Sequence, residues 1–205
     1  MPGRVDWTFR TERIRGRLVE SGDRALYHAL YADPRVMADI GPTLSAEAID
    51  ALFDKVLAWN RGDPVRARYW RMSDAKDAPI GLYSLVISSE SRDTADLGQM
   101  QLADRQGNGF GAEISLAMLD WVMEDRWGLG LSVATMHHSP DNWRVKRLGE
   151  MVCAERLDTE DGASEAWRLD RTQWLEIRER LRMIALEAFA RLGAATGRGF
   201  TATSG

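Results

Sequence analysis

The amino-acid sequence predicts one α/β (α+β) domain built around a mixed central sheet. The apolar residues alternate between strand and helix periods, in the order strand, two helices, three strands, helix, strand, helix, strand, helix. Hydrophobic residues make up 44% of the 205 residues and charged residues 28%, as in an ordinary globular protein. A chain of this length can bury one substantial core without a metal or a disulfide.

The N-terminal elements are one strand and two helices. Thr11–Val19 is expected to form the opening strand. A first helix is expected over Asp23–Tyr31, and Asp33-Pro34 stops it. Ser45 is a candidate N-cap of a second helix, because the apolar residues after it are spaced to form one face: Ile49, Leu52, Phe53, Val56 and Leu57.

Three strands follow and are expected to form an antiparallel meander. They cover Arg68–Met72, Ile80–Ile87 and Asp96–Leu102, with polar turns between them. Ile80–Ile87 carries apolar residues on both faces, which places it near the middle of the sheet.

The pattern changes at a glycine-rich loop, Gln106-Gly107-Asn108-Gly109-Phe110-Gly111, which leads into an amphipathic helix over Ala112–Asp125. The remaining elements are, in order, a strand over Leu129–His137, a short helix over Asn142–Met151, a strand over Trp167–Asp170 and a helix from about Thr172 to Leu192. Gly193–Gly205 is rich in Gly, Ala and Thr, and we expect it to be a flexible tail.

Charge and composition argue against several classes of protein. The net charge of −4 is opposite to that of a protein whose main task is to grip duplex DNA. Few amines could act as bases, because the only lysines are Lys55, Lys76 and Lys146. Cys153 is the single cysteine, so no internal disulfide can form, and an inert thiol is a commoner role than a nucleophile. No stretch resembles a secretory or membrane-spanning segment, and we expect a cytoplasmic protein.

The glycine loop carries the clearest chemical signal. Glycines let the backbone approach a ligand, and the unpaired N–H groups of the first helical turn then point at an anion such as a pyrophosphate. A tight strand-to-helix turn that binds nothing is the simpler alternative. Gly107, Gly109 and Ala112 also match a dinucleotide-binding pattern. That fold needs the pattern in its first strand-to-helix turn and an acidic residue after the next strand, and here the strand ends at His137-His138.

Asp96-Leu97-Gly98-Gln99-Met100-Gln101-Leu102, followed by Gln106 to Ala112, resembles the GNAT superfamily of acyl-CoA-dependent N-acetyltransferases, particularly the branch that acetylates the N-termini of ribosomal proteins. The resemblance runs from about Glu12 to Trp174 and includes Asp33-Pro34, Pro79-Ile80-Gly81 and Asn142. It implies a mostly antiparallel sheet of about six to seven strands, flanked by helices and split between the fourth and fifth strands, with the pantetheine arm of acetyl-CoA in the split. The family domain would then span residues 1–174, and residues 175–192 would form a C-terminal helical extension.

The resemblance also implies roles for particular residues. The main-chain N–H groups of Gln106, Gly107, Asn108, Gly109, Phe110, Gly111 and Ala112 would cradle the pyrophosphate. Met100, Gln101 and Leu102 would pair with the pantetheine amides, with a donor for the developing oxyanion near Met100. Asn142 would contact the pantetheine from the other side, cap the helix that follows it, or do both. Asp96 is the candidate general base, directly or through a water, and a solvated turn residue is the alternative.

The implied activity is transfer of an acetyl group from acetyl-CoA to a primary amine, on a protein N-terminus or a small molecule, by direct attack in a ternary complex. Many family members place a Tyr or a Ser near the leaving thiol, where this chain has Gly149 and Val145. A catalytically weak or inactive acyl-CoA-binding or protein-interaction module therefore stays open. A dinucleotide oxidoreductase is a third candidate, and the sequence does not identify the acceptor amine.

The two adjacent histidines and the last helix suggest further roles. His137 and His138 follow each other in a strand and so point to opposite faces. Because only Asp141 is near them in sequence, no metal site is expected, and a surface role is favoured over that of an auxiliary base. The last helix has an apolar stripe of Trp174, Ile177, Leu181, Ile184 and Ala188. This stripe would pack on its own domain or form a homodimer contact, and neither nucleic acid nor a membrane is an expected partner.

Overall fold

The computed structural model describes residues 5–152, 154–157, 164–181 and 183. These residues form an eight-stranded sheet in the spatial order β1-β2-β3-β4-β5-β6-β8-β7. Its strands are β1 (Phe9–Arg10), β2 (Ile14–Leu18), β3 (Ala67–Asp74), β4 (Pro79–Ile87), β5 (Thr94–Gln101), β6 (Val133–His138), β7 (Glu155–Leu157) and β8 (Glu165–Asp170). Neighbouring strands are antiparallel, except that β5 and β6 are parallel. The predicted α/β class with a mostly antiparallel sheet is confirmed, with eight strands in place of six to seven.

Two short strands account for the difference in number. The predicted first strand, Thr11–Val19, begins only at Ile14, because a turn in which the Thr11 N–H donates to the Ile14 carbonyl folds β1 back onto β2. The Phe9 ring lies over Gly16, where a Cβ would be 2.2 Å from a ring carbon, so glycine makes room for this hairpin. At the other edge, β7 has only three residues, too few to show a period of two.

Helices α1 (Arg24–Tyr31), α2 (Pro34–Met37) and α3 (Ala46–Arg61) cover one face of the sheet. The Ser45 hydroxyl accepts a hydrogen bond from the Ala48 N–H, which confirms the predicted N-cap. Asp33-Pro34 ends α1 as predicted, but it also starts α2, which the sequence analysis missed. The Asp33 carboxylate accepts from the Arg35 N–H, and proline suits the first position of a helix.

The main core lies on the opposite face, beneath α4 (Phe110–Met123) and α5 (Trp143–Met151). The predicted helix over Ala112–Asp125 is confirmed with an earlier start, because the left-handed Gly109 already forms its N-cap. β6 begins at Val133 and not at Leu129, since Gly128 and Gly130 adopt positive φ angles of 65° and 67° and keep this segment in a turn.

The last helix covers residues 171–181 of the part described, and it packs on its own domain. Trp174 is buried and its indole N–H donates to the Asp120 carboxylate at 2.9 Å, while Arg178 forms an ion pair with Glu124 on the turn after α4. The remainder of this predicted helix up to Leu192, the tail Gly193–Gly205 and Cys153 lie outside the described residues.

Two features are absent from the described residues. No described helix is both long and apolar enough to cross a membrane. Within the same residues, no group of three or more His, Cys, Asp or Glu side chains is arranged to hold a metal ion.

Candidate active site at the split in the sheet

Strands β5 and β6 separate after a short parallel contact. Thr94–Asp96 pairs with Val133–Thr135, although β5 continues to Gln101 and β6 to His138. Beyond this contact the two strands bound a cavity of about 440 Å³. This confirms the predicted split, which lies between the fourth and fifth strands of the sequence analysis. The residues that line the cavity include Gln99, Met100, Tyr83, Met136, His137 and Asn142.

Main-chain groups of β5 point into the split. The Leu102 N–H donates to Ile80 and the Ser88 N–H to Thr94, so the even-numbered residues of β5 bond to β4. By the alternation of an antiparallel ladder, the N–H and C=O groups of Leu97, Gln99 and Gln101 face away from β4, towards the split. The Met100 N–H points to β4 and not into the split, so it does not fit the oxyanion donor that the resemblance places near Met100.

The side chains of Gln99 and Gln101 extend beneath the start of α4. A Cβ on Gly111 would lie 2.6 Å from the Gln101 side-chain nitrogen and 3.4 Å from that of Gln99, so glycine lets the helix approach β5 closely. The buried Gln99 side-chain oxygen has no hydrogen-bond partner within the described residues. The end of β5 and the start of α4 therefore form one continuous surface.

The glycine loop ends in an uncapped helix N-terminus. Gly107 and Gly109 have φ angles of 79° and 75°, and Gly109 has no side chain with which to cap α4. In the described part of the chain, no main-chain N–H of residues 109–112 donates to a protein acceptor. The side chains of Asn108 and Gln106 donate to carbonyls of Arg105 and Gln101 and so brace the loop.

The charge around the loop suits an anion. Glu113 in the first turn of α4 would repel one, but its carboxylate accepts hydrogen bonds from Thr11 and forms a 2.7 Å ion pair with Arg13. The Arg13 guanidinium also donates to the Asn108 carbonyl and lies over the Phe110 ring. Free N–H donors at a helix N-terminus, next to a guanidinium, fit a diphosphate.

Asp96 and His137 form a hydrogen-bonded pair at the point where the strands separate. The Asp96 Oδ1 lies 2.7 Å from the His137 Nδ1 and accepts from the Thr135 hydroxyl at 3.1 Å. The imidazole is half exposed and lines the cavity. The sequence analysis singled out Asp96 and favoured a surface role for His137, because the parallel register that joins them is a long-range feature.

His138 faces the opposite side of the sheet, as predicted, and is buried. Its Nδ1 lies 2.7 Å from the Ser139 carbonyl, and its Nε2 accepts from the Trp167 indole N–H at 2.9 Å. An Nδ1 that donates and an Nε2 that accepts define a neutral imidazole with both nitrogens in use. His138 is therefore a structural residue of the cavity wall.

Asn142 lines the cavity and caps α5. Its side-chain oxygen accepts from the Val145 N–H at 3.3 Å, which is the capping role that the sequence analysis left open. The amide nitrogen of the same side chain has no protein partner among the described residues, so a ligand contact is compatible with the cap.

The position where many relatives carry a tyrosine has no space for one. A Cβ on Gly149 would lie 2.4 Å from the buried Trp167 indole. Tyr83 on β4 is a cavity residue that the sequence analysis missed, because a tyrosine in a central strand has the pattern of an ordinary core aromatic. Burial, with a smaller effect of the Asp96 charge, raises the pKa of Tyr83 far above its usual value, so its hydroxyl stays protonated.

One ion pair lies beside the cavity. Asp39, in the segment after α2, lies 3.3 Å from the Arg144 guanidinium on α5. Ile40 and Trp143 beside them are exposed apolar side chains, 49% and 59% accessible. This side of the cavity thus combines an ion pair with exposed apolar side chains.

Comparisons with known proteins agree with this fold. Residues 13–152 match the family model described as an acetyltransferase (GNAT) domain. A solved spermidine N-acetyltransferase from Vibrio cholerae, in complex with CoA and spermine, is 19% identical with a TM-score of 0.66, over 80% of this chain and 99% of that one. An acetyltransferase from Agrobacterium tumefaciens str. C58 is 21% identical with a TM-score of 0.66, over 79% and 93% of the two chains. A search of curated protein sequences gives no significant match.

Proposed function

Because the chain belongs to the GNAT acetyltransferase family, we propose that it transfers an acetyl group from acetyl-CoA to a primary amine by direct attack in a ternary complex. The observation that supports this most is the continuous path of free main-chain donors. It starts at the split-facing amides of β5 and ends at the uncapped N-terminus of α4.

Acetyl-CoA would lie along this path. The N–H groups of residues 106–112 would hold its diphosphate, and the split-facing groups of Gln99 and Gln101 would pair with its pantetheine amides as an added strand does. Asn142 would contact the pantetheine from the β6 side. Acetyl-CoA, when bound, supplies the thioester carbonyl that the amine attacks.

The protein's own groups would supply the rest of the chemistry. Holding the amine beside the thioester makes the attack effectively intramolecular. The acceptor arrives as an ammonium ion and must lose a proton, for which the Asp96–His137 pair lies at the split. A split-facing N–H such as that of Gln99 would stabilise the oxyanion, and the Tyr83 hydroxyl is a further donor in the cavity.

We propose a small-molecule amine as the acceptor, in preference to a ribosomal-protein N-terminus. The Vibrio cholerae neighbour binds spermine, an acceptor of this class. In this chain, the carboxylate of Asp39 lines the cavity, and that of Asp96 is hydrogen-bonded to the cavity residue His137; both favour a positively charged amine. The cavity of about 440 Å³ accommodates a small molecule.

Release of free CoA thiol in the presence of a panel of amines tests the activity. We expect turnover with at least one primary amine, and none with its N,N-dimethyl analogue, which cannot form an amide. Thiol release no faster than hydrolysis with every acceptor would overturn the proposed activity.

A non-catalytic acyl-CoA-binding module is the second candidate. The Trp167 indole favours it, because it lies where a side chain at Gly149, the position of the usual thiol-protonating tyrosine, would begin. Calorimetry with acetyl-CoA, followed by the turnover assay, separates the two functions. Binding without turnover favours the module.

We further propose a cytoplasmic protein that forms a homodimer through its C-terminal helix, on which Leu175 is 45% exposed and Met183 is 61% exposed. Sedimentation of the full chain tests the dimer. We expect about twice the 23.0 kDa of one chain, and a monomer mass would contradict the contact.

A further inference from the structure

The proposed reaction needs a group that takes a proton from the acceptor. A free α-amino group has a pKa of about 7.7–8.0 and a lysine-type amine one of about 10.4, so most of the acceptor is an ammonium ion at neutral pH. Asp96 was the residue expected to remove this proton.

The surroundings of Asp96 give it a different role. Its Oδ1 accepts both from the Thr135 hydroxyl and from the His137 Nδ1, at 3.1 and 2.7 Å. A carboxylate that holds two donors in this way orients them. Because the carboxylate only accepts, the proton of the neutral His137 ring stays on Nδ1, and the lone pair is then on Nε2.

The Nε2 of His137 is the free nitrogen. Within the described residues it has no hydrogen-bond partner, and the ring is 52% exposed at the cavity. The adjacent His138 has both ring nitrogens engaged, by the Ser139 carbonyl and the Trp167 indole, so it cannot accept a proton without breaking a buried contact. Of the two neighbouring histidines, only His137 offers a base to a bound amine.

We infer that His137 is the general base of the proposed acetyl transfer and that Asp96 is its positioning residue; this rests on the proposed function. The ammonium gives one proton to Nε2, which passes it to solvent. The neutral amine then forms a bond to the thioester carbon, and the C–S bond breaks with its electron pair moving to sulfur. Nε2 takes the second amine proton and delivers it to the sulfur, which leaves as the thiol of CoA. One imidazole thus serves as base and then as acid, so neither a tyrosine at position 149 nor a serine at position 145 is needed.

Among the described residues, the titratable groups near this imidazole besides Asp96 are Tyr69, whose pKa is raised by burial and by the Asp96 charge, and three that line the cavity. Asp39, which is paired with Arg144, Tyr83 and His138 line the same cavity. Tyr83 has a pKa raised by burial and stays protonated, and the nitrogens of His138 are both bonded. If kcat/KM changes with pH in the range typical of an imidazole, and this change is lost when His137 is replaced, the change is due to His137.

The test compares His137→Gln with Asp96→Asn and with the control His28→Gln. His28 is a second half-exposed histidine bonded to a carboxylate, that of Asp50, on the helical layer outside the cavity. The measurement is kcat/KM against pH, with acetyl-CoA affinity by calorimetry to show that each variant is folded. We expect His137→Gln to lose about 10²–10⁴-fold in kcat/KM together with the acidic limb of the profile. Asp96→Asn should lose less and keep the limb, and His28→Gln should match the wild type.

Two results would overturn the assignment. One is a His137→Gln variant that keeps the acidic limb with kcat/KM close to that of the wild type, and the other is an Asp96→Asn variant that alone loses this limb. If the wild-type protein shows no turnover with any amine, the proposed function fails and this assignment fails with it. Failure of the assignment alone would leave wild-type turnover intact.

The ¹⁵N shifts of the imidazole give a readout independent of activity. We expect a protonated Nδ1 in the wild type and a mixture of tautomers in Asp96→Ala, and a protonated Nε2 in the wild type contradicts the geometry.

Discussion

Replacing Gly107 with alanine tests whether the glycine loop holds acetyl-CoA. Gly107 has a φ of 79°, a left-handed conformation that costs any other residue about 1–2 kcal/mol. An added Cβ would meet no atom within 4 Å, so the substitution introduces backbone strain and no clash. If the loop relaxes to relieve that strain, the binding of acetyl-CoA must restore the left-handed conformation at position 107. We therefore expect the Kd to rise about 5- to 30-fold.

Gly128→Ala is the matched control for this prediction. Gly128 also has a positive φ, 65°, and open space around its Cβ position, but it lies after the C-terminus of α4, at the opposite end of the helix from the loop. Calorimetry gives the Kd of each variant and thermal unfolding gives its stability. Gly128→Ala should bind within about twofold of the wild type. Equal weakening of binding by the two substitutions, or none by Gly107→Ala, would refute the reasoning.

Two further predictions concern stability. Gly149→Ala places a methyl group 2.4 Å from the buried Trp167 indole and should lower the free energy of unfolding by about 1–3 kcal/mol, so an unchanged thermal midpoint contradicts the packing. Burial acts to raise the pKa of Glu124, but hydrogen bonds from Arg126 and Arg178 hold it below the usual value. This carboxylate therefore stabilises the fold above its unfolded-state pKa, and the contribution is lost as the pH falls through the lower folded-state pKa. Glu124→Gln should accordingly be less stable than the wild type at pH 7 and equal to it in strong acid, and a difference that persists in strong acid would contradict this.

Local signals in the sequence predicted most of the fold. The period of apolar residues found the helix after Ser45 and the helix after the glycine loop, because each buries one continuous face. It missed β1 and β7, which have two and three residues, too few to show a period of two. It also missed α2, since the proline that ends one helix can begin another.

The sequence could predict those parts of the candidate site that are formed by the backbone of one continuous segment. The glycine loop is such a segment, and its positive φ angles agree with its residues. The Asp96–His137 pair joins positions 41 residues apart through a parallel register that no local pattern encodes. The direction of the Met100 amide depends on the ladder with β4, which a strand prediction leaves open.

A crystal structure of the protein with acetyl-CoA tests the central claim most directly. The account predicts a diphosphate on the main-chain amides of residues 106–112 and a pantetheine arm between β5 and β6. Its thioester would then lie beside the Nε2 of His137. A coenzyme bound away from the N-terminus of α4, or a split that stays empty at saturating acetyl-CoA, would contradict it.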